Sequence, residues 1–227
     1  MIEATYIDHM GSDLSVVNAA RVSFGKKSEW NPNYRDEPPL YPKDEKLIKY
    51  LAKHKHISPF GHAFASFHVK APIFVARQLV KHKFLRWNEI SRRYVDEDVD
   101  LYYPPNDVWR GRSEDKKQGS DGEVDLKYPA MDGFLLDDLI EENEAQRLLY
   151  RNLLKAGVAP EQARMVLPQS TMTEWYWSGS LDAFADMCNL RCKNDTQYET
   201  RVVANKISEK LLDLFPVSWE ALKENDR

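Results

Sequence analysis

The segment from residue 77 to residue 94 gathers side chains that can hold an anion. It reads R-Q-L-V-K-H-K-F-L-R-W-N-E-I-S-R-R-Y, with a single acid, Glu89, and with His82 between two lysines. Its cations are Arg77, Lys81, Lys83, Arg86, Arg92 and Arg93. The whole chain is slightly acidic, with 32 Lys and Arg against 36 Asp and Glu. A basic island in such a chain predicts an anion bound at one place, and not a surface coated for nucleic acid.

Two other interpretations of this segment stay open from the residues alone. A helix C-terminus attracts cations, each by about 0.3–1 kcal/mol, which would account for Lys81 and Lys83 without any ligand. It does not account for the polar residues that continue from Asn88 to Arg93. Aromatic residues also interleave with the cations, as they do in nucleic-acid-binding patches, but the flanking regions are acidic and no basic stripe extends the site. These aromatic residues are Phe84, Trp87 and Tyr94.

Histidines and cysteines could supply other chemistry. The histidines closest together are His54, His56, His62 and His68. Imidazole is the commonest metal ligand, and the first two would share a face if they lay on a strand, but no carboxylate or cysteine stands at a diagnostic spacing, so we predict no metal. Cys188 and Cys192 have i, i+4 spacing, which on a helix is poor disulfide geometry. We expect them to be reduced and to pack, in a cytoplasmic protein.

The same segment closely resembles the signature of the flavin-dependent thymidylate synthases. That family carries R-H-R, seven residues and then S, within a longer R-Q-x-x-R-H-R-x-x-S-x-N-E-x-S-x-R-Y. The positions in register here are Arg77, Gln78, His82, Asn88, Glu89, Ser91, Arg93 and Tyr94. Lys81 and Lys83 replace the two arginines, so the charge is kept but the paired N–H donors of a guanidinium are lost.

Four further segments are similar to motifs of that family, in the same order along the chain. A-A-R-V-S-F-G at 19 to 25 resembles an N-terminal A-R-x-S motif, and H-I-S-P-F-G-H at 56 to 62 resembles H-x-[ST]-P-F-E-H, with Gly61 where glutamate is common. A-R-M-V-L-P at 163 to 168 matches A-R-x-x-L-P. The segment 178 to 191, followed by Gln197 and Glu199, resembles N-L-R…A-Q-x-E.

The resemblance implies reductive methylation of dUMP to dTMP, with methylenetetrahydrofolate as the carbon donor and NADPH as the reductant of a bound FAD. It also implies a homotetramer in which subunits share each site. The residues it assigns to dUMP are Gln78, Glu89, Ile90, Ser91, Arg92, Arg93, Arg164 and Arg191. Those it assigns to FAD are Ser58, Lys81, His82, Lys83, Phe84, Glu89, Ser180 and Asp186.

Arg191, Ser91 and His56 are the residues that the resemblance places closest to the reaction. A serine is a weak nucleophile unless a base lies beside it, and no Ser-His-acid triad can be found around Ser91. We therefore expect Ser91 to bind substrate. A relative that has lost activity, with FAD binding weakened by Lys81, Lys83 and Gly61, is the main alternative, and a nucleic-acid-binding module is the second.

Helices and a few separated strands must place these groups. β-branched and aromatic residues predict strands at 63 to 70 and 170 to 177, and residues 2 to 8 also resemble a short strand. Helices are predicted at 13 to 22, with Ser12 as N-cap, and at 42 to 54. A third follows Pro72 and buries Val75, Leu79 and Val80, and a long fourth at 132 to 156 is ended by Gly157. A short helix begins at Pro160, another helix begins at Leu181, and a last long one begins near Thr196 with Glu199 in a capping box. Residues 26 to 42 and 104 to 125 are predicted to be irregular.

The composition fits one domain over residues 1–227. The chain is 42% hydrophobic and 11% aromatic, enough to bury a sizeable core. It has no run of roughly 18 apolar residues and no leader-like N-terminus. Three common signatures are also missing: a dinucleotide-binding G-x-G-x-x-G, a Walker A loop and a G-x-S-x-G elbow. We predict an α+β single domain with a mixed or antiparallel sheet packed by several helices.

Overall fold

In the computed structural model, two long strands with alternating side-chain burial form the centre of the molecule. They are β2 (Phe64–Pro72) and β6 (Met172–Ser180). Phe67 and Val69 of β2 are fully buried, whereas His68 between them is partly exposed, as the two-residue period of a strand requires. The structure describes residues 1–33, 39–95, 98–105, 108–114, 119–127 and 134–224.

Four strands make one antiparallel sheet in the order β1-β2-β6-β3. Its edges are β1 (Glu3–Met10) and the short β3 (Arg86–Glu89). A separate antiparallel pair consists of β4 (Arg110–Arg112) and β5 (Ser120–Glu123).

Eight helices lie within the described residues. They are α1 (Asp13–Arg21), α2 (Pro42–Lys53), α3 (Ile73–Leu79), α4 (Leu135–Lys155), α5 (Pro160–Ala163), α6 (Leu181–Arg191), α7 (Tyr198–Leu214) and α8 (Pro216–Glu224). Helices α3, α6 and α7 pack on the sheet, while α1 and α2 contact α8.

Aromatic rings fill the space between the sheet and its helices. The ring of Phe184 on α6 meets Phe67 and Trp177 edge to face, with centroid distances of 5.4 and 5.8 Å. Trp87 of β3 stacks on Trp175 of β6 at 4.2 Å. Edge-to-face and offset-stacked pairs stabilise by about 0.5–1.5 kcal/mol beyond their buried area, so these contacts hold the short edge strand β3 in register.

Two polar anchors join distant parts of the chain. The buried carboxylate of Asp13 accepts the backbone N–H groups of Val217 and Ser218 at 3.0 and 2.9 Å, which caps the first turn of α8. Arg21 pairs with the fully buried Asp44, to which Ser28 Oγ also donates at 3.0 Å. The arginine of the A-R-x-S motif therefore connects α1 to α2 here.

Most of the predicted elements are confirmed. The predicted α+β class is observed, with an antiparallel sheet. The strands at 3–10, 64–72 and 172–180 and the helices that begin at Asp13, Pro42, Leu135, Pro160 and Leu181 lie within a few residues of their predicted positions. Gly157 follows α4 with φ of +87°, a left-handed conformation that glycine adopts without strain.

Several predictions are wrong. Val80 is 47% exposed, because α3 ends at Leu79 and the chain turns there. The polar stretch 104 to 125 is not structureless, since it contains β4 and β5; residues 106–107 and 115–118 lie outside the described part. Helix α7 begins at Tyr198 with Gln197 as its N-cap, so Thr196 forms no capping box. The sequence predicted neither β3 nor α8.

No helix in the described residues combines the length and the apolar character that a membrane crossing requires.

Candidate active site

A cleft of about 980 Å³ opens where the end of α3, the end of α6 and the start of α7 meet. The loop after residue 101, the β4–β5 pair and the segment from Pro168 to Ser170 form its other walls. Three residues that the family resemblance assigns to dUMP or FAD line it, namely Gln78, Lys81 and Arg191. Its volume is typical of a pocket for a small molecule or cofactor.

Arg191 and His82 are in direct contact at this cleft. The Nε of Arg191 lies 3.2 Å from the Nε2 of His82. An arginine side chain has donors only, so His82 Nε2 must accept, which leaves its ring proton on Nδ1. Burial, and secondarily the charge of Arg191, lowers the pKa of His82 from 6.5 to about 4. His82 is therefore neutral at physiological pH.

A hydrogen-bonded group of amides joins α3 to the first turn of α7. The Gln78 amide nitrogen donates to Gln197 Oε1, and Gln197 Nε2 donates to Glu199 Oε2 at 3.1 Å. The hydroxyl of Thr200 donates to Gln78 Oε1 at 3.2 Å. Glu199 and Thr200 are buried. Burial, and secondarily the nearby charge of Glu199, raises the pKa of the Tyr102 hydroxyl. Gln78 is thus held from two sides at the edge of the cleft.

Glu89 ends β3 with both carboxylate oxygens engaged. Thr173 Oγ1 donates to Oε1 at 2.6 Å, and Trp87 Nε1 donates to Oε2 at 3.1 Å. Pairing of β3 with β6 places Thr173 and Glu89 beside each other. The backbone N–H of Ile90 then donates to the Glu174 carbonyl at 2.9 Å, which ends the strand pairing.

The remaining residues assigned to dUMP lie apart from the cleft in the single chain. Arg93 Nε donates to Glu161 Oε2 at 3.0 Å, and Arg164 Nε donates to the Glu161 carbonyl at 3.2 Å. Ile90 and Arg92 border a smaller depression of about 130 Å³ beside Thr173. The structure therefore divides the predicted nucleotide residues into one group at the cleft and a second group that runs from the end of β3 to Glu161.

The residues assigned to FAD cluster around the turn between α3 and β3 and the end of β6. Lys81, Lys83 and Phe84 are exposed on that turn, and Phe84 has 82% of its surface exposed. Ser58 lies in a 3-10 turn (Ser58–His62) that packs against α6 and β6, and Ser180 is the last residue of β6. Asp186 lies exposed on α6.

Gly179 lets this turn approach β6 closely. A Cβ atom built at Gly179 would lie 2.5 Å from Leu85 Cδ2 and 3.4 Å from the Phe84 carbonyl oxygen. Leu85 is buried and anchors the exposed residues Lys83 and Phe84 beside it. The glycine of the 178–191 segment is thus explained by packing.

Neither His56 nor Ser91 lines the cleft that Arg191 lines. His56 is exposed after α2, with its ring 6.1 Å from Tyr50. Ser91 Oγ accepts the backbone N–H of Arg93 at 3.3 Å, as in a tight turn. Cys188 lies on α6 and Cys192 directly follows that helix; both are free thiols, Cys188 buried and Cys192 half-buried. In the described residues no cluster of three or more His, Cys, Asp or Glu is arranged to hold a metal.

Several cleft residues were not predicted as site residues. Gln197 and Glu199 were recognised only as part of a motif and as a capping box, although their polarity beside a motif arginine could have marked them. Lys193, two residues after the motif arginine, also lines the cleft. Tyr102 and Thr200 carried no local signal, because only folding brings Tyr102 to the cleft and the Thr200 hydroxyl to Gln78.

Comparisons with known proteins agree on one family. Residues 5–217 match the family model described as thymidylate synthase complementing protein. The chain is 39% identical over 223 residues to a flavin-dependent thymidylate synthase of Thermosipho melanesiensis, covering 97% of this chain and 90% of the relative. It is 38% identical over 219 residues to one from Thermus thermophilus, covering 96% and 74%. A UMP/dUMP methylase of Streptomyces cacaoi bound with 5-Br dUMP has a similar structure, with a TM-score of 0.80, 29% identity and coverage of 99% and 95%.

Proposed function

The chain belongs to the flavin-dependent thymidylate synthases, and from this membership we propose that it converts dUMP to dTMP by reductive methylation. The carbon donor in this proposal is methylenetetrahydrofolate, and NADPH reduces the bound FAD. The observation that supports it best is the contact between Arg191, on the nucleotide side, and His82, on the flavin side, at the edge of one cleft.

The nucleotide side of the cleft is built from donors. Arg191 and Lys193 bring positive charge to the wall, and Gln78 adds an oriented amide. Within the residues that the structure describes, the guanidinium of Arg191 makes one hydrogen bond, through Nε to a neutral ring, so its NH1 and NH2 groups can pair with acceptor oxygens of a nucleotide. Burial lowers the pKa of Arg191, which indicates a partly dehydrated cation that gains from meeting an anion.

The turn after α3 fits a flavin cofactor. Ring carbonyls and phosphates of FAD are acceptors, and this turn supplies the donors Lys81, Lys83 and the Nδ1–H of His82. Phe84 adds an exposed aromatic face. Lysines carry the charge that arginines carry elsewhere in the family, but as point charges without a fork. These residues would hold the cofactor, which when bound supplies the two-electron reduction that turns a transferred one-carbon unit into a methyl group.

His82 and Arg191 have separate tasks in this proposal. Arg191 binds and orients the nucleotide, and its Nε fixes the histidine ring and its tautomer. His82 then presents a fixed N–H donor at Nδ1 toward the flavin side without adding charge. Since the ring stays neutral, it does not repel the neighbouring ammonium groups of Lys81 and Lys83.

Subunits of a homotetramer would complete the site. Gln78 and Arg191 lie at the cleft, whereas Arg93 and Arg164 meet at Glu161 outside it. One chain then supplies the two groups to different sites, with Glu161 keeping Arg93 and Arg164 side by side. Large exposed apolar side chains near these groups support an interface, among them Phe84 (82%), Tyr94 (81%) and Met165 (75%).

Reconstitution with FAD tests this proposal. We expect the purified protein to become yellow, with flavin absorbance bands, and to oxidise NADPH only when dUMP and methylenetetrahydrofolate are present. A protein that stays colourless with excess FAD and shows no dUMP-dependent NADPH oxidation would refute it.

A further inference from the structure

We propose that Thr200, Gln197 and Glu199 are positioning residues that fix the side-chain amide of Gln78 in one orientation at the cleft. The inference rests on the proposed function, because the orientation of Gln78 matters for a nucleotide bound there. None of the three residues was assigned to dUMP or FAD from the sequence.

The contacts form one continuous series of hydrogen bonds between two helices. Glu199 accepts from Gln197 at 3.1 Å, Gln197 accepts from the Gln78 amide, and Gln78 accepts from Thr200 at 3.2 Å. Thr200 is fully buried and Glu199 is 8% exposed, so water does not compete freely for these bonds. Helix α3 carries Gln78, and the start of α7 carries the other three residues.

The carboxylate of Glu199 sets which group donates and which accepts in each of these hydrogen bonds. An ionised Glu199 can only accept, so Gln197 must turn its NH2 group toward Glu199 and its carbonyl oxygen toward Gln78. Gln78 must then turn its own NH2 group toward Gln197, which points its carbonyl oxygen at the Thr200 hydroxyl. A flipped Gln78 amide would set its carbonyl oxygen against that of Gln197, whereas the Thr200 hydroxyl can bond either orientation, so Gln197 sets the direction and Thr200 holds the amide from the other side.

The fixed amide retains capacity for a ligand. A glutamine amide has two N–H donors and two lone pairs, and these contacts use one of each. As far as the described residues go, one donor and one acceptor of known orientation therefore remain on Gln78 at the cleft wall. A polar group that is held before the ligand arrives loses less freedom on binding, which is how buried neighbours raise affinity.

Substitution at Thr200 tests the proposal with a matched pair. Thr200→Val keeps the shape but removes the hydroxyl, and Thr200→Ser keeps the hydroxyl. Calorimetric titration with dUMP should show that Thr200→Val weakens binding about three- to tenfold, the usual worth of one such hydrogen bond, while Thr200→Ser stays close to wild type. The FAD content of both variants should match, since misfolding would lower it, and the melting temperature of Thr200→Val should fall only by what the loss of one hydrogen bond costs.

A double-mutant cycle identifies Gln78 as the residue that transmits the effect. In a Gln78→Ala background, Thr200→Val should change dUMP affinity by less than about twofold, because the positioned group is gone. Glu199→Gln should weaken binding as Thr200→Val does, since an amide at 199 no longer dictates the direction.

Two results would overturn the inference: wild-type affinity in Thr200→Val, or an equal loss from Thr200→Val with and without Gln78. Either can occur in a protein that still makes dTMP, which leaves the proposed function intact. The reverse outcome, in which dUMP binds with the predicted Thr200 dependence but no dTMP forms, would contradict the proposed reaction alone.

Discussion

Arg191 Nε donates to His82 Nε2 at 3.2 Å, and this single contact joins the end of α6 to the turn after α3. The two residues come from motifs more than a hundred positions apart in the chain. Because the donor is a guanidinium, the histidine is both neutral and restricted to one tautomer. In the proposed function this contact lies between the residues assigned to the nucleotide and those assigned to the flavin.

The protonation of His82 gives the first prediction. In protein labelled at the histidine rings, NMR titration should give His82 a pKa of about 4, depressed first by burial and then by Arg191. Arg191→Lys keeps the charge and should keep the pKa low, whereas Arg191→Ala removes the charge and part of the burial and should raise it toward 6.5. A pKa that does not respond to Arg191→Ala would contradict the contact.

The same depression makes stability depend on pH. Between about pH 4 and pH 6.5 the unfolded chain binds a proton at His82 that the folded chain does not, so the unfolding free energy falls as the pH falls through this window. The size is on the order of 1 kcal/mol, reduced because the ring is only half-buried. Denaturant unfolding of wild type and His82→Gln at pH 7 and pH 5 measures it. An equal loss in both proteins would exclude His82 as its source.

Gly179 gives a third prediction, about the turn that carries residues assigned to FAD. Gly179→Ala places a methyl group 2.5 Å from the buried Leu85 Cδ2, so Leu85 and the turn must shift. We expect a loss of about 1–3 kcal/mol in unfolding free energy, as for other overpacked sites, together with weaker FAD retention. Gly61→Ala is the control, because a Cβ there meets nothing within 4 Å. Equal melting temperatures and FAD content for the two variants would show that the turn does not depend on this contact.

Shared sites predict complementation between inactive variants. Arg191→Ala removes a residue of the cleft group, and Arg93→Ala removes one of the group tied to Glu161. If different subunits supply the two groups, mixed tetramers contain some intact sites, so unfolding and refolding the variants together should restore roughly a quarter of the wild-type activity. Light scattering should give the mass of a tetramer. Activity no higher than that of either variant alone would place both arginines in one subunit's site.

Local sequence signals were sufficient for most of the fold. The signals that held were the β-branched and aromatic residues of β2 and β6, Pro42 and Pro160 at helix starts, and Gly157 at a helix end. Each of these signals depends on only a few neighbouring residues. The strand β3 was missed because its four residues are polar and charged apart from Trp87. Its place is fixed by the stacking of Trp87 on Trp175, a contact that no local pattern contains.

The candidate site divides in the same way. Motif residues such as Gln78, Lys81 and Arg191 do line one cleft. The contact of Arg191 with His82, the support of Gln78 by Thr200 and the engagement of Glu89 by Thr173 depend on how α3, α7 and β6 meet. Such pairings between residues far apart in the chain are set by tertiary packing, and spacing along the sequence does not encode them.

Product analysis after a single incubation tests the central claim most directly. FAD-loaded protein is mixed with dUMP, NADPH and methylenetetrahydrofolate that carries an isotopic label in its methylene group. The nucleotides are then separated, and their masses are measured by mass spectrometry. We predict dTMP that carries the label in its methyl group, and no dTMP when NADPH or FAD is left out. Recovery of unchanged dUMP from the complete mixture, with flavin bound and the protein folded, would contradict the assignment.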